Sequence, residues 1–397
     1  MKIRKISASY IFAGKSGFLK NGILNLCEDG RVLSLDDTKG KLAEEANLEH
    51  YNGILCPGFV NAHCHLELSH MRGKIPRNTG LNGFVEKIIP GRKAQSREIS
   101  KSIEDADREM QLEGIVAVAD ICNSPDTFET KSLSPIHYQS FIELFGTAAN
   151  AAESIYRNGQ SLVQEARQKY SLNAGITPHS SYSLGEELFR LIREGMTAKD
   201  VLISVHNQES TSEDELISGA SGDLYNSFYK LGFDLSSIKP RNMSSFEWLM
   251  NQIPKNIRTL LVHNIYTAQK DILLSLAENK DIYWVLCPKS NVYIGGVYPR
   301  KYLMDTFPDR ICIGTDSLAS NDKLSILEEL FLLQSIYPEI SLSELLLWAS
   351  ENGSKALGIN DWYGSFESGK KPGVLLLENV DLQNLQLKKE SRVRVLE

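Results

Sequence analysis

No stretch of the 397 residues stays apolar for the roughly 20 residues that cross a bilayer, and the opening MKIRKISASYIFAGKSGFLKNG breaks any signal-peptide core with charge and glycine. Neither a membrane span nor a secretory leader is expected, and the cytoplasm is the expected compartment. Cysteine is scarce. Cys27, Cys56, Cys64, Cys122, Cys287 and Cys312 include no C-x-x-C pair, which excludes a disulfide scaffold and reads most of them as buried thiols. The same lack excludes the zinc deaminases that combine H-x-E with P-C-x-x-C. Basic clusters are missing too: 43 Lys+Arg stand against 50 Asp+Glu, a net charge of −7, with no footprint for a phosphate backbone. Nucleic-acid binding is not expected. Tandem repeats and low-complexity linkers are also absent.

What remains is a composition of 42% hydrophobic and 23% charged residues, that of an ordinary folded chain with a sizeable core. Residues 1–57 hold short strand-like runs (Ser7–Phe12, Gly22–Cys27, Arg31–Leu35) before a Cys56-Pro57-Gly58 turn. Residues 364–397 repeat the pattern with Val374–Leu377 and Val393–Leu396. Between the ends lie eight mostly apolar runs: Phe59–His65, Ile115–Ile121, Tyr138–Phe145, Asn173–Pro178, Val201–His206, Thr259–His263, Ile282–Cys287 and Ile311–Asp316. Runs without polar alternation are strands buried on both faces. Helical periodicity fills stretches such as Ser100–Glu113, Ala148–Lys169, Thr267–Asn279 and Leu324–Leu333. The pattern predicts an α/β fold: a (β/α)8 TIM-type barrel over residues 58–363, with a small β-sandwich built from segments 1–57 and 364–397. A doubly wound open sheet is the structural alternative.

In such a barrel the chemistry sits at the C-terminal ends of the strands. Those ends carry His63-Cys64-His65, His179, His206, His263 and Thr315-Asp316, so five of the eight histidines fall there. His63 and His65, two apart on one strand, share a face and can bind one ion. Imidazole and carboxylate donors suit a first-row metal such as zinc.

PGFVNAHCHLELSH, GITPHSSYSL, SVHNQES, LLVHN, LCPKSN and CIGTDS together resemble the metal-dependent amidohydrolase superfamily, in its aminohydrolase branch. That branch includes nucleoside, guanine and aminodeoxyfutalosine deaminases and triazine chlorohydrolases. The resemblance implies one divalent metal, zinc first and iron second, held by His63, His65, His206 and Asp316. It implies His263 as the neighbour that orients water and Glu209 as the proton shuttle, with Asp316 also a proton acceptor. Binuclear members use a carboxylated lysine after the fourth strand, where this chain has Ile176-Thr177-Pro178-His179; one metal is expected. Glu67, Arg72, His179, Ser180, Tyr182, Ser290 and Asn291 are the expected substrate contacts, Glu67 for ribose hydroxyls and Arg72 for a substrate carboxylate.

The expected activity is hydrolytic deamination of a heterocycle, a 6-aminopurine nucleoside such as aminodeoxyfutalosine, by an enzyme that forms a homodimer. Dechlorination of a triazine uses the same parts and is the alternative. A barrel that binds metal without catalysis is the alternative of another class.

Overall fold

Fifteen strands form among the residues that the computed structural model describes, 3–43, 47–196, 202–278 and 281–397. The first five are β1 (Arg4–Phe12), β2 (Phe18–Lys20), β3 (Ile23–Leu26), β4 (Val32–Asp36) and β5 (Leu48–Pro57). Eight follow: β6 (Phe59–Cys64), β7 (Ile115–Cys122), β8 (His137–Leu144), β9 (Asn173–Pro178), β10 (Leu202–Asn207), β11 (Arg258–His263), β12 (Ile282–Leu286) and β13 (Ile311–Ile313). The last two are β14 (Val374–Glu378) and β15 (Arg392–Val395). Val201 and Asn279, at the margins of two expected elements, lie outside the described residues.

The two chain ends meet in one sheet, ordered β15-β14-β5-β1-β3-β4 with β2 on β1. Strands from both expected terminal segments thus join one hydrogen-bonded, seven-stranded network. Its core is Ile6, Ile11, Leu24, Leu55, Phe366 and Leu376 with their neighbours. Strand β5 is absent from the sequence reading because Asn52-Gly53 imitates a turn. Gly53 instead sits at a bulge against β1, between the pairs Ala8↔Tyr51 and Tyr10↔Ile54. A Cβ there would lie 2.5 Å from the Leu377 carbonyl oxygen, so the neighbouring strand requires glycine.

Strands β6 to β9 form one parallel sheet and β10 to β13 another. Helices separate successive strands, as the expected Ser100–Glu113 and Ala148–Lys169 segments illustrate with helices at Ser96–Leu112 and Ala152–Tyr170. Single parallel bridges, Ser180 with His206 and Cys64 with Asp316, join the two sheets at both margins. This α/β arrangement is consistent with a barrel. Val60, Ala62, Ala119, Val262, Val285 and Cys312 pack together from several strands, which explains why these strands read as unbroken apolar runs. All six cysteines are buried, and none is in a disulfide. No helix among the described residues is long and apolar enough to cross a membrane.

Candidate metal centre and active site

The first polar cluster is built where β6 meets β13. Pairing of β6 with β7 slips between Asn61 and Cys64, a bulge that re-aims the side chains of His63 and its neighbours. Asn61 fastens the two strand ends: its amide donates to Thr315 Oγ1 at 2.7 Å and its carbonyl accepts from Thr315 N at 3.1 Å. The backbone N–H groups of Thr315 and Asp316 both donate to the His63 carbonyl, at 3.0 and 3.1 Å. Gly314 allows that approach, since a Cβ would lie 2.8 Å from His63 Cβ. After the second histidine, Leu66 N–H donates to Asp120 Oδ1 at 2.7 Å, and Asp120 is ion-paired to Lys131 with neither side chain exposed. Asp316 and His263 both occupy left-handed backbone, at φ 56° and 75°. Non-glycine residues are rarely held there, and such positions cluster at functional sites.

His63, His65 and His206 bring ring nitrogens within 4.8 Å of one another. The Nε2 atoms of His65 and His206 lie 3.1 Å apart, and Asp316 Oδ1 is 3.6 Å from Nε2 of both His63 and His65. Two Zn–N bonds of about 2.0–2.1 Å at a tetrahedral angle need nitrogens about 3.3 Å apart. Both ring nitrogens of His63 and Nδ1 of His65 are buried without a hydrogen-bond partner. His206 donates from Nδ1 to the His179 carbonyl at 3.0 Å, with Glu143 Oε1 at 3.4 Å, which leaves its Nε2 lone pair facing the cluster. Burial and neighbouring imidazoles hold His65 and His206 well below the usual histidine range, in the neutral form that ligates. Burial alone would raise the Asp316 carboxyl; the close imidazoles of His63, His65 and His263 outweigh it and hold the carboxyl well below the carboxylate range. Its other oxygen, Oδ2, accepts from Ser290 Oγ and Ser320 Oγ, each at 2.6 Å. These four donors fit one divalent cation.

Glu209 comes from the turn after β10. Glu213 fixes that turn, taking the N–H groups of Gln208, Glu209 and Ser210 at 2.9, 2.6 and 3.1 Å. The Glu209 side chain is buried, with Oε2 3.7 Å from His263 Nε2. Burial, then the charges of Asp316 and Glu213, push its carboxyl well above the usual range. His263 is held by Asn291, whose Nδ2 lies 2.9 Å from its Nδ1, and burial lowers it to about 3.

His65, His206, Glu209, His263 and Asp316 form the floor of a cleft lined also by His179, Tyr182, Glu143, Asn123 and Arg92. The other expected contacts lie elsewhere. Ser290 and Asn291 turn toward Asp316 and His263, and Ser180 is fully buried, donating to Ser183 Oγ at 2.7 Å. Glu67 is buried beneath the cleft, bound to Arg92 at 2.7 Å and to Asn123 N at 2.8 Å. Arg72 is on the surface, paired with Glu109 and donating to the Asp322 carbonyl at 3.0 Å. The arginine at the cleft is Arg92, which also donates to Asn123 Oδ1 at 2.8 Å. Asn123 donates in turn to Glu143 Oε2 at 3.2 Å. Glu143 Oε1 is buried and unpartnered, and burial raises this carboxyl to about 7. With His179 and His206 it forms a second group within ligand reach. Sequence reasoning missed Arg92, Asn123 and Glu143; the signal for Glu143 was a carboxylate inside an apolar strand run.

The Amidohydrolase family model matches residues 54–391. An adenosine deaminase of Helicobacter pylori is 25% identical over 328 residues, covering 81% of this chain and 78% of that protein. An aminodeoxyfutalosine deaminase of Nitratiruptor is 25% identical over 365 residues, covering 88% and 86%. Among solved structures, Helicobacter pylori aminofutalosine deaminase in complex with methylthio-coformycin superposes with a TM-score of 0.80 at 22% identity, covering 95% of this chain and 93% of that one.

Proposed function

The chain belongs to the amidohydrolase family and is a hydrolase of carbon–nitrogen bonds, and from that premise we propose that it hydrolytically deaminates a 6-aminopurine nucleoside on a (β/α)8 barrel. Its relatives include deaminases of adenosine and of aminodeoxyfutalosine. The observation that carries the reading is the buried Glu209 carboxyl beside His263, on the same cleft floor as His65, His206 and Asp316.

His63, His65, His206 and Asp316 would hold one divalent metal, zinc or iron. When bound, such an ion would supply Lewis acidity and lower the pKa of a water toward about 7. Glu209 enters protonated and gives its proton to the ring nitrogen as water oxygen adds to the carbon bearing the amine. Asp316 takes the proton that water releases. His263, kept neutral and fixed by Asn291, orients the attacking water. Asp316 returns its proton to the amino group, which leaves as ammonia as the C–N bond breaks, while the hydroxyl proton passes to Glu209, which is thereby reset, and the ring carbon is left as a carbonyl. Tyr182 and His179 border the substrate. Segments 1–57 and 364–397 act as one small β unit around the catalytic 58–363 segment, a division supported by the β5–β14 pairing.

Aminodeoxyfutalosine, as the specific substrate, loses one support: Arg72, its expected carboxylate partner, is outside the cleft. Triazine dechlorination gains one, because apolar side chains line most of the cleft above the floor. Parallel measurement of ammonia and chloride release by the metal-loaded protein, on aminopurine nucleosides and chlorotriazines, tests the proposal. Ammonia release from nucleosides is the expected result. Faster chloride release would replace this reading with the second.

A further inference from the structure

One wall of the cleft belongs to the Gly80–Gly91 helix, which presents Leu81, Phe84, Val85 and Ile88 to it. Their i, i+3, i+4, i+7 spacing puts them on one helical face. Phe228 and Phe233, from the Asp223–Lys230 helix and the turn after it, line the same space. The two helices are tied together through Glu86, whose Oε1 accepts from Ser227 Oγ at 2.7 Å and from Lys230 Nζ at 3.2 Å. Two packed helices therefore hold an apolar enclosure above the polar floor.

Among the described residues, the cleft wall offers a ligand anion no unpaired lysine or arginine. Arg92 is the one lysine or arginine among its described lining residues, and it is already paired with the buried Glu67. Glu143, Glu209 and Asp316 line the same cleft. A ligand carboxylate seated on this wall would be desolvated against apolar side chains, with the one arginine of the lining already paired.

We infer that the substrate carries, away from its reacting amino group, an uncharged apolar substituent seated against Leu81, Phe84, Val85 and Ile88, and that this enclosure rejects an anionic substituent of the same size. The inference rests on the nucleoside reading above and names the class of nucleoside. An apolar arm would bury its surface between two fixed helices and leave the floor to orient the purine. Val85 and Phe84 thereby become specificity-determining residues.

The test compares adenosines with 5′-alkylthio and 5′-carboxyalkylthio arms of equal length on the metal-loaded enzyme, scoring kcat/KM for ammonia release and Kd by calorimetry. The alkyl compound should be favoured by about 10² or more. Val85→Lys should cost that compound about 10-fold or more and narrow the preference, chiefly through KM. Equal or better use of the carboxylate compound by the unaltered enzyme overturns the inference, whatever the variant does. If neither compound releases ammonia, the deaminase reading fails, and the ratio of the two Kd values still decides the inference.

Discussion

The Nε2 atoms of His65 and His206, 141 residues apart in the chain, face each other at 3.1 Å in a buried cluster. Two neutral imidazoles at that distance can share one proton in a hydrogen bond, and a cation taken up there would receive both lone pairs in its place. Replacing His206 with Ala should therefore abolish tight metal binding. Elemental analysis of the purified variant checks this, and about one equivalent of retained metal would remove His206 from the ligand set.

Glu209 stands beside the cluster without joining it. Glu209→Gln preserves size and hydrogen bonding but removes the acid. It should lower kcat by about 10²–10⁴ while the metal content stays that of the parent. Steady-state kinetics beside metal analysis separates a proton shuttle from a ligand.

Lys131 has no exposed side-chain surface and compensates Asp120, the carboxylate that caps the turn after His65. Lys131→Met would leave that carboxylate buried and unpaired. Unfolding in urea should show a loss of about 3–5 kcal/mol. A change below 1 kcal/mol would mean that Asp120 is protonated in the fold.

In the terminal sheet, Arg4 of β1 holds Glu49 of β5 through two contacts, at 2.8 and 3.1 Å, and Tyr51 donates to the same carboxylate at 2.6 Å. The hydrogen bond from Arg4, then that from Tyr51, lowers the Glu49 carboxyl from its usual 4.5 to about 2. Because the folded value is the lower one, the stabilisation is present above pH 4.5 and fades as pH falls toward 2. The side chains are partly exposed, so the effect should stay within about 1 kcal/mol. Acid unfolding of Glu49→Gln should start from a lower stability at neutral pH and converge with the parent near pH 2.

Much of this architecture was legible because buried parallel strands write themselves as apolar runs. Their ends stand out when a histidine or aspartate interrupts them, as His63, His206, His263 and Asp316 do. Strand β5 was not legible, since Asn52-Gly53 has the composition of a turn and the close carbonyl of Leu377 is a tertiary fact. Ser290 and Asn291 sit at a strand end like true contacts, but spacing does not say which way a side chain turns. The choice between Arg72 and Arg92 depended on the path of the chain after β6. Glu143 was hidden inside a run read only for its hydrophobicity. The apolar wall at Leu81–Ile88 shares its periodicity with any helix that packs on a core.

Strand β5 runs directly into the first histidine strand, and one of its edges is completed by β14, from far later in the chain. During synthesis that edge has no partner until residues 374–378 have left the ribosome. The strand leading into His63 and His65 is thus secured last, although it is made early. A chain stalled or cut before residue 374 would expose the apolar β5 edge at residues 54–57, the kind of template that pairs with other copies, so shortened products should aggregate rather than accumulate as soluble, half-active enzyme.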